Sequence, residues 1–373
     1  MNAVGIILAG GKNDKLGALI KNRATSALPI GSCYRAIDFP LSNMSNSGIG
    51  KVAVMTQYHA RSLHDHLSSS KWWDFGRKNG GLFVLSPFLS SENSFLFRDT
   101  ADSIFQNLSF LSRSKEKYVV ISSGDCVYKM DYTTMVKYHE QKNAEITIAY
   151  RQVPEHENIC QYGVVELEHD GRLIDIEEKP LEPQSNLASI GVYIMERELL
   201  IRLLKEIVEE GRYSLVRDIF SRYRKRLRIY GYRFDGYWRN LGNVLSYYNC
   251  NMDFLNREVR KSFTDDSPYI LSKPKDEPPA KFNSQASIVN TLVGSGAILD
   301  GDTHSSIIFR NVRVRDNAVV NNSIIMEGAY VGTNCLVEYA ILDKNAHIPD
   351  GEKIIGTHNR PVVVSKDGVI VHA

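Results

Sequence analysis

The sequence predicts an α/β domain with a mainly parallel sheet, followed by a β-helix. Up to about Phe254, short β-rich runs such as residues 51–55 and 118–122 alternate with helical patterns such as residues 198–204, which is typical of a sheet covered by helices. A six-residue repeat of aliphatic side chains fills the carboxyl-terminal part and is typical of a β-helix. Between them, residues 268–279 are rich in proline and charge and predict a linker. We therefore expect a sheet domain over 1–258, a linker over 259–284 and a β-helix over 285–373.

Length and composition exclude several classes of protein. The chain has 373 residues, of which 43% are hydrophobic and 24% charged, enough to bury a large core in roughly two to three domains. A net charge of +2 argues against bulk binding of nucleic acid. Without a signal peptide or an apolar run of about 18 residues, we expect a cytoplasmic protein and no membrane partner. Five cysteines without a CxxC pair predict reduced structural thiols.

The first predicted element is a strand that runs into a glycine turn at residues 5–11. Backbone amides of such a turn can cradle a phosphate where the chain approaches the ligand closely with a positive φ, which glycine permits. Asn13 stands where a further loop glycine is expected. Asparagine enters the left-handed region at modest cost, but its side chain fills space that a phosphate needs. The turn therefore predicts a nucleotide loop with reduced capacity.

Two later segments place charged side chains where strands end. Asp125 follows the apolar run at residues 121–124, at the edge where open α/β sheets bind ligands, so it could hold Mg²⁺ or cap the turn. Asp99 or Thr100 is expected to cap a helix. Lys179 leaves a strand just before a proline that forces an extended path. Taken alone, such a lysine is more often a solvated charge than a phosphate ligand.

In the β-helix region, aliphatic residues recur at six-residue intervals in three groups. Each group begins 17 residues after the last, with Gly, Asn and Asp between, as expected for triangular coils that point one aliphatic residue inward from each side. So short a stack leaves an open end, which usually seeks a partner. The predicted inward residues are Ile308, Val314 and Val320; Ile325, Val331 and Val337; and Leu342, Ile348 and Ile354.

The motifs occur in a recognisable order. They lie at residues 8–11, 34–43 with 46–49, 100–102, 124–125 with 128–132, 178–180, 188–193 and 237–239. In this order the chain resembles ADP-glucose pyrophosphorylase, glucose-1-phosphate adenylyltransferase, over nearly its whole length. The resemblance implies a Rossmann-like nucleotidyltransferase domain and a left-handed parallel β-helix. It also implies the reaction of ATP with glucose 1-phosphate to ADP-glucose and pyrophosphate, the committed step of glycogen biosynthesis.

The resemblance implies roles for individual positions. Asp125 matches the family's metal-binding aspartate, and Lys15 and Asp125 are the implied catalytic residues, with Mg²⁺ as the cofactor of an active chain. The implied nucleotide-binding residues are Leu8, Ala9, Gly10, Gly11, Gln106 and Gly124. The implied sugar-phosphate residues are Tyr162, Gly163, Glu178, Lys179 and Ser189. Among these, Lys179 matches the lysine that holds the phosphate, and Glu178 and Ser189 match sugar contacts.

Several positions depart from the family pattern on the nucleotide side. Asn13 replaces a loop glycine, and Lys15 replaces an arginine. The lysine ammonium is a point charge, whereas the arginine guanidinium would bind pyrophosphate through two parallel hydrogen bonds. Thr25 and Ser26 replace a Lys-Pro pair, and residues 214–218 alter a further motif. These changes predict weakened binding of the triphosphate.

The strongest departure is Asn240, where the family has its second metal-binding aspartate. Mg²⁺ sites depend on one or two protein carboxylates plus substrate phosphates, so a neutral amide removes half of the protein's charge at the metal. Asp235 is not expected to substitute, because side chains alternate along a strand and 235 would face away from 240. The loss corresponds to roughly 3 kcal/mol, or about a hundredfold in rate.

With these departures the chain is most similar to the GlgD-type glycogen biosynthesis subunit of the family. That similarity implies a regulatory subunit with little or no catalysis, which assembles with a catalytic subunit into a hetero-tetramer. Its expected ligands are glucose 1-phosphate, with ATP and anionic effectors as further candidates. One alternative is a slow adenylyltransferase that acts alone. A second is a hexapeptide acyltransferase with His304 or His347 as base.

Two further features invite a functional interpretation. The run at residues 222–228 is rich in arginine, and we favour a solvated face by about two to one over an anion site. His59, His64 and His66 lack the i,i+4 spacing of a helical zinc site. We therefore assign these histidines no ligand role.

Overall fold

The computed structural model describes residues 1–76, 80–88, 96–154 and 157–372, with residue 372 described by its backbone alone. The chain forms two compact units. The first unit consists of residues 1–11, 39–60 and 67–238, and the second of residues 12–38, 61–66 and 239 onward. Each unit is described by itself below. The boundaries predicted at 258 and 284 remain predictions.

The strands that precede residue 241 are rich in apolar residues. In chain order they are β1 (Ala3–Leu8), β2 (Pro29–Ile30), β3 (Tyr34–Arg35), β4 (Lys51–Met55), β5 (Gly81–Leu85), β6 (Tyr118–Ser123), β7 (Cys126–Tyr128), β8 (Ile146–Gln152), β9 (Gly163–Leu167), β10 (Leu173–Glu178), β11 (Leu187–Glu196), β12 (Ile229–Arg233) and β13 (Trp238–Asn240). The predicted strands at 51–55 and 118–122 are therefore confirmed as β4 and β6.

The α-helices are short, and several begin at a side-chain cap. They are α1 (Asp38–Asn46), α2 (Arg61–Leu67), α3 (Thr100–Phe105), α4 (Leu108–Ser112), α5 (Tyr132–Gln141), α6 (Arg197–Glu209), α7 (Val244–Asp253) and α8 (Arg257–Thr264). Shorter 3₁₀ turns occur at Asp14–Ile20, Thr25–Ala27, Ser70–Trp73 and Ile159–Gln161, and a π-helical turn at Val216–Ser221. Of the two caps considered for α3, it is Asp99 that accepts the Thr100 N–H.

The described residues of the first unit contain a mixed sheet in the order β10-β9-β11-β6-β1-β4-β5, with β8 paired to β11 and β12. Strand β1 is parallel to both β4 and β6, and β4 is parallel to β5. The predicted parallel sheet is thus present. Strand β11 extends it as an antiparallel partner of β6 and β8. Because β1 and β6 run side by side in one direction, their carboxyl ends meet at the same edge.

Helix α6 shows why the first unit folds around this sheet. The pattern predicted at 198–204 lies inside it, and its apolar residues recur at helical spacing. Leu199, Leu200, Leu203 and Leu204 are buried. They belong to one core with Val119 and Ile121 of β6.

Asp235 does not lie on the strand that carries Asn240. It falls between β12 and β13, and its carboxylate pairs with Arg233 Nε at 2.7 Å. The alternation argument that excluded Asp235 as a replacement was therefore wrong, because β13 begins only at Trp238.

The second unit contains the coil strands of the carboxyl-terminal region. They are β14 (Lys281–Phe282), β15 (Ile288–Val289), β16 (Leu292–Val293), β17 (Ile298–Leu299), β18 (Asp302–His304), β19 (Ile307–Ile308), β20 (Arg313–Val314), β21 (Val319–Asn321), β22 (Ile324–Ile325), β23 (Tyr330–Val331), β24 (Leu336–Glu338), β25 (Ala340–Leu342), β26 (His347–Ile348), β27 (Lys353–Ile355), β28 (Val362–Val364) and β29 (Ile370–His372). Residues 265–280, which include the predicted linker at 268–279, contain neither helix nor strand.

Successive coils pair in parallel and form the left-handed β-helix that was predicted. Its three faces are β14-β17-β20-β23-β26, β15-β18-β21-β24-β27, and β16-β19-β22-β25-β28 with β29 added antiparallel. The nine predicted inward residues are at most 5% exposed, so the six-residue period is confirmed. Corners are made by residues with a positive φ, for example Asn311, Gly328 and Asn345 in successive coils. Among the described residues, no helix is long and apolar enough to cross a membrane.

Candidate functional site

The ends of β1 and β6 bring three of the predicted nucleotide residues together. The Gly124 N–H donates to the Leu8 carbonyl oxygen at 2.9 Å, and the Ala9 N–H donates to the Met55 carbonyl oxygen at 2.9 Å. A Cβ atom on Gly124 would lie 3.1 Å from Ala9 Cβ, so glycine permits this close approach. Leu8, Ala9 and Gly124 therefore meet at the carboxyl edge of the parallel strands.

The two loop glycines differ in their surroundings. A Cβ on Gly10 would lie 3.3 Å from Gln57 Cβ, whereas one on Gly11 would have no atom within 4 Å. Neither glycine has a positive φ; within residues 8–20 that conformation belongs to Gly17, with φ 50°. The expected left-handed glycines are thus not found at these two positions. The loop leaves open space at Gly11 without adopting a phosphate cradle.

Gln106 is held by a buried carboxylate. Its Nε2 donates to Asp102 Oδ2 at 2.8 Å. The same carboxylate accepts from Arg98, with Nη2 at 2.7 Å from Oδ1 and Nε at 3.2 Å from Oδ2. Arg98 in turn lies 3.6 Å from the centre of the Tyr213 ring. These contacts fix the orientation of the Gln106 amide.

Asp125 directly follows the end of β6 and is half-buried. Its carboxylate accepts a hydrogen bond from the Ser123 hydroxyl, and the Cys126 thiol lies 3.6 Å from Oδ1. Among the described residues, no group of three or more Asp, Glu, His or Cys side chains could hold a metal ion. The donor set fits Mg²⁺ only as a site with one protein carboxylate, which depends on substrate phosphates for its remaining charge.

The predicted sugar-phosphate residues converge where β9, β10 and β11 adjoin. Gly163 of β9 pairs with Glu178 of β10. A Cβ on Gly163 would lie 3.1 Å from Glu178 Oε2 and 3.7 Å from Ser189 Cβ. The missing side chain at Gly163 therefore keeps a space open between a carboxylate and a hydroxyl. Gly191, beside Ser189, has φ 75° and approaches Ser123, the partner of Asp125.

Lys179 does not follow the extended path expected before a proline. Its φ is 52°, and its N–H donates to the Tyr162 carbonyl oxygen at 3.0 Å. The prediction of an extended residue was wrong because this hydrogen bond turns the chain directly after β10. A non-glycine residue with positive φ is strained, and such residues cluster at functional sites.

Charges in this region influence one another. Lys179 Nζ lies 3.7 Å from Glu178 Oε1. Although the Glu178 side chain is 51% exposed, partial desolvation by the surrounding protein raises its pKa, and Lys179 opposes that rise. The carboxylates of Asp99 and Asp125 also raise the pKa of Glu178. The Glu178 carboxylate beside Gly163 is thus influenced by one lysine and two further carboxylates.

Sequence reasoning missed the contact of Tyr162 with Trp238 and the contact of Trp238 with Arg151. The Tyr162 and Trp238 rings meet edge to face with centres 5.0 Å apart. Arg151 lies 5.9 Å above the Trp238 ring, and its Nη1 donates to the Trp238 carbonyl oxygen at 2.9 Å. Arg151 lies within β8, a strand of ordinary composition, so no local signal marked it. Trp238 occurs within a recognised motif, but nothing in that motif indicated its contact with Tyr162.

The second unit contains the remaining predicted positions. Lys15 is exposed and forms no ion pair with a described residue. Asn13 adopts φ −128° and ψ 81° rather than the left-handed region, and its Nδ2 donates to the carbonyl oxygens of Leu241 and Gly242 at 3.2 and 3.1 Å. The Asn240 carbonyl oxygen accepts a hydrogen bond from the Ser246 hydroxyl. The side chain of Asn13 and the backbone of Asn240 are therefore held by hydrogen bonds.

The other candidate residues have structural partners. His304 Nε2 lies 3.2 Å from Ser287 Oγ, and the His347 ring stacks on Tyr330 with centres 4.8 Å apart. His66 Nε2 contacts a buried carboxylate, Asp38 Oδ1, at 2.6 Å. In the basic run, Arg222, Arg224 and Arg228 pair with Glu210, Asp175 and Glu145, respectively. These ion pairs favour the structural interpretation of the run.

Comparisons with known proteins agree with this architecture. A family model described as Nucleotidyl transferase matches residues 4–257, and one described as GlmU-like, C-terminal hexapeptide matches residues 278–371. The chain is 37% identical over 351 residues to a glucose-1-phosphate adenylyltransferase of Bacillus mycoides, covering 93% of both chains. It is 36% identical over 366 residues to one of Bacillus cytotoxicus, covering 97% of both chains, and 37% identical over 351 residues to one of Bacillus anthracis, covering 93% of both.

Proposed function

The chain belongs to the nucleotidyl transferase family and, within it, to the glucose-1-phosphate adenylyltransferases, and we propose that it acts there as a regulatory subunit with little or no catalysis of its own. The observation that carries the proposal is Asn240, a neutral amide where the family pattern has a metal-binding aspartate. In glycogen biosynthesis, ATP reacts with glucose 1-phosphate to give ADP-glucose and pyrophosphate. Under this proposal a catalytic partner performs that reaction.

The sugar-phosphate side supports retained ligand binding. Gly163 leaves room between Glu178 and Ser189, and Lys179 supplies a cation beside Glu178. A phosphate monoester is the ligand that such a lysine would attract, and hydroxyl groups of a sugar match the carboxylate and the serine. We propose glucose 1-phosphate as the ligand of this region.

The nucleotide side supports reduced chemistry. Mg²⁺ bound together with substrate phosphates would neutralise charge that develops during phosphoryl transfer, and Asp125 is the residue that would hold it. Asn240 is a neutral amide where the family pattern has an aspartate. Lys15 is exposed and would act on phosphate only as a point charge. These residues support weak binding of ATP and slow turnover.

The proposed partner is a catalytic subunit of the same family, in a hetero-tetramer located in the cytoplasm. The support is that the sheet and the β-helix persist although a metal carboxylate is missing. A subunit without catalytic activity can still shift the conformational equilibrium of its partner, provided that its contacts differ between the partner's two states. Anionic effectors, if this assembly senses them, would act through the same equilibrium.

The first experiment measures pyrophosphate release by the purified chain with Mg²⁺, ATP and glucose 1-phosphate. We expect little or no turnover, and a rate near the enzyme median of roughly 10 s⁻¹ would overturn the proposal. Calorimetry on the same sample should find tighter binding of glucose 1-phosphate than of ATP. The reverse order would contradict the assignment of the retained site.

The second experiment adds the chain to a catalytic relative and records saturation curves with and without it. Co-purification and a change in at least one kinetic constant are expected. If the two chains do not associate, or associate without kinetic effect, the regulatory proposal fails.

A slow adenylyltransferase is the second candidate, and the retention of Asp125 favours it. The triple variant Asn240→Asp, Asn13→Gly and Lys15→Arg tests whether catalytic activity was lost at these named positions. If chemistry was lost at these positions, the variant should gain about a hundredfold in rate, corresponding to roughly 3 kcal/mol. An unchanged rate would place the defect elsewhere.

A further inference from the structure

The side chain of Asn13 makes an unusual pair of contacts for a residue in a glycine-rich loop. Its Nδ2 donates to two consecutive carbonyl oxygens, those of Leu241 at 3.2 Å and Gly242 at 3.1 Å. Asn13 is half-buried, so these hydrogen bonds are partly shielded from competing water. One amide thus ties the loop to a segment more than two hundred residues away in sequence.

The segment that Asn13 holds is itself fixed. Asn243 caps α7 by accepting the Ser246 N–H at 2.8 Å, and the Ser246 hydroxyl donates to the Asn240 carbonyl oxygen. A Cβ on Gly242 would lie 2.8 Å from Asn240 Oδ1, so the Asn240 side chain packs against this backbone. Residues 240–243 are therefore held by hydrogen bonds of their own, and the Asn13 side chain is bonded to this segment.

The conformation that Asn13 holds is not one that binds phosphate. Consecutive backbone amides converge on an anion when right-handed and left-handed residues alternate. Gly10, Gly11 and Asn13 all lack a positive φ. Gly11 is exposed with open space around it, so the loop has room to rearrange once its anchor is released.

We propose that Asn13 is a positioning residue that latches the glycine loop to residues 241–242 and thereby opposes the binding of a nucleoside triphosphate. The inference rests on the proposed loss of nucleotide chemistry. A nucleotide must break both hydrogen bonds before the loop can wrap its phosphates. The apparent affinity is therefore reduced by the fraction of molecules in which the latch is open.

The test uses the full chain with Asn13→Ala, which removes both donors, and Asn13→Ser, which keeps one. Asn22→Ala is the matched control, because Asn22 is an exposed asparagine nearby in the same unit. Hydrogen exchange of residues 10–17 and 241–246 reports the latch. Calorimetry with ATP and Mg²⁺ reports its effect on nucleotide binding.

Asn13→Ala should speed exchange in both segments and tighten ATP binding by roughly tenfold, the factor that corresponds to 1.4 kcal/mol. Asn13→Ser should lie between, and Asn22→Ala should match the parent chain. A merely structural asparagine would lose stability without gaining affinity. Unchanged exchange, unchanged or weaker ATP binding, or no measurable ATP binding in any variant would overturn the latch. Turnover is not needed for this readout, so a failure of the latch and a failure of the regulatory proposal are distinguished.

Discussion

Removal of Arg23 is expected to destabilise the second unit strongly, because Arg23 forms a buried ion pair with the β-helix. Arg23 Nη2 lies 2.6 Å from Asp343 Oδ1, and the two side chains are only 8% and 5% exposed. Arg23 Nη1 also contacts Met326 Sδ at 3.6 Å. The interaction therefore joins the amino-terminal segment of this unit to two coils.

The structure sets the magnitude of this effect. Arg23→Met keeps much of the side-chain length but leaves the Asp343 carboxylate buried and without its cation, which costs about 3–5 kcal/mol. The exposed pair of Lys21 and Asp367 provides the matched control, with an N···O distance of 3.4 Å and side chains 64% and 61% exposed. Lys21→Met should cost no more than about 1 kcal/mol.

Urea denaturation of the two variants and the parent chain tests this difference. The midpoint should fall clearly for Arg23→Met and little for Lys21→Met, with similar slopes, since the surface exposed on unfolding is unchanged. The double variant Arg23→Met with Asp343→Asn should recover part of the loss, because it removes the buried charge. Equal shifts for Arg23→Met and Lys21→Met would refute the reasoning that burial decides the value of these pairs.

Three further effects can be measured on single variants. Burial lowers the pKa of His139 from 6.5 to about 4, so between these pH values the folded state binds fewer protons than the unfolded state. The contribution of neutral His139 to the free energy of unfolding is therefore fully present above pH 6.5. It falls by about 3 kcal/mol as the pH drops through 4. His139→Gln should flatten this dependence in urea titrations at several pH values. Tyr339 has φ 46° at a corner where the preceding coil has an asparagine. Tyr339→Asn should therefore raise the melting temperature, because it relieves about 0.5–1 kcal/mol of backbone strain. A lower melting temperature would contradict this. Gly163→Ala places a methyl group 3.1 Å from Glu178 Oε2 and should weaken glucose 1-phosphate binding in calorimetry, whereas Gly50→Ala, with no atom within 4 Å of its Cβ, should not.

The sequence determined those features that depend on local repetition. The aliphatic residues from Ile308 to Ile354 recur every six positions, and each is buried in the coil where the period places it. The strands β4 and β6 could also be predicted from the sequence, because short apolar runs rich in β-branched residues between helical patterns are typical of buried parallel strands. A helix cap at Asp99 or Thr100 also follows from neighbouring residues, and the structure assigns it to Asp99.

Tertiary structure decided every feature that joins distant parts of the chain. Nothing near Asn13 predicts its bonds to Leu241 and Gly242, and nothing near Arg23 predicts Asp343. Lys179 shows the same limit, since its proline neighbour suggested an extended residue but a bond to Tyr162 gave φ 52°. Periodicity and caps are set within a few residues, whereas these partners are chosen by how the elements pack, and packing is a property of the whole unit.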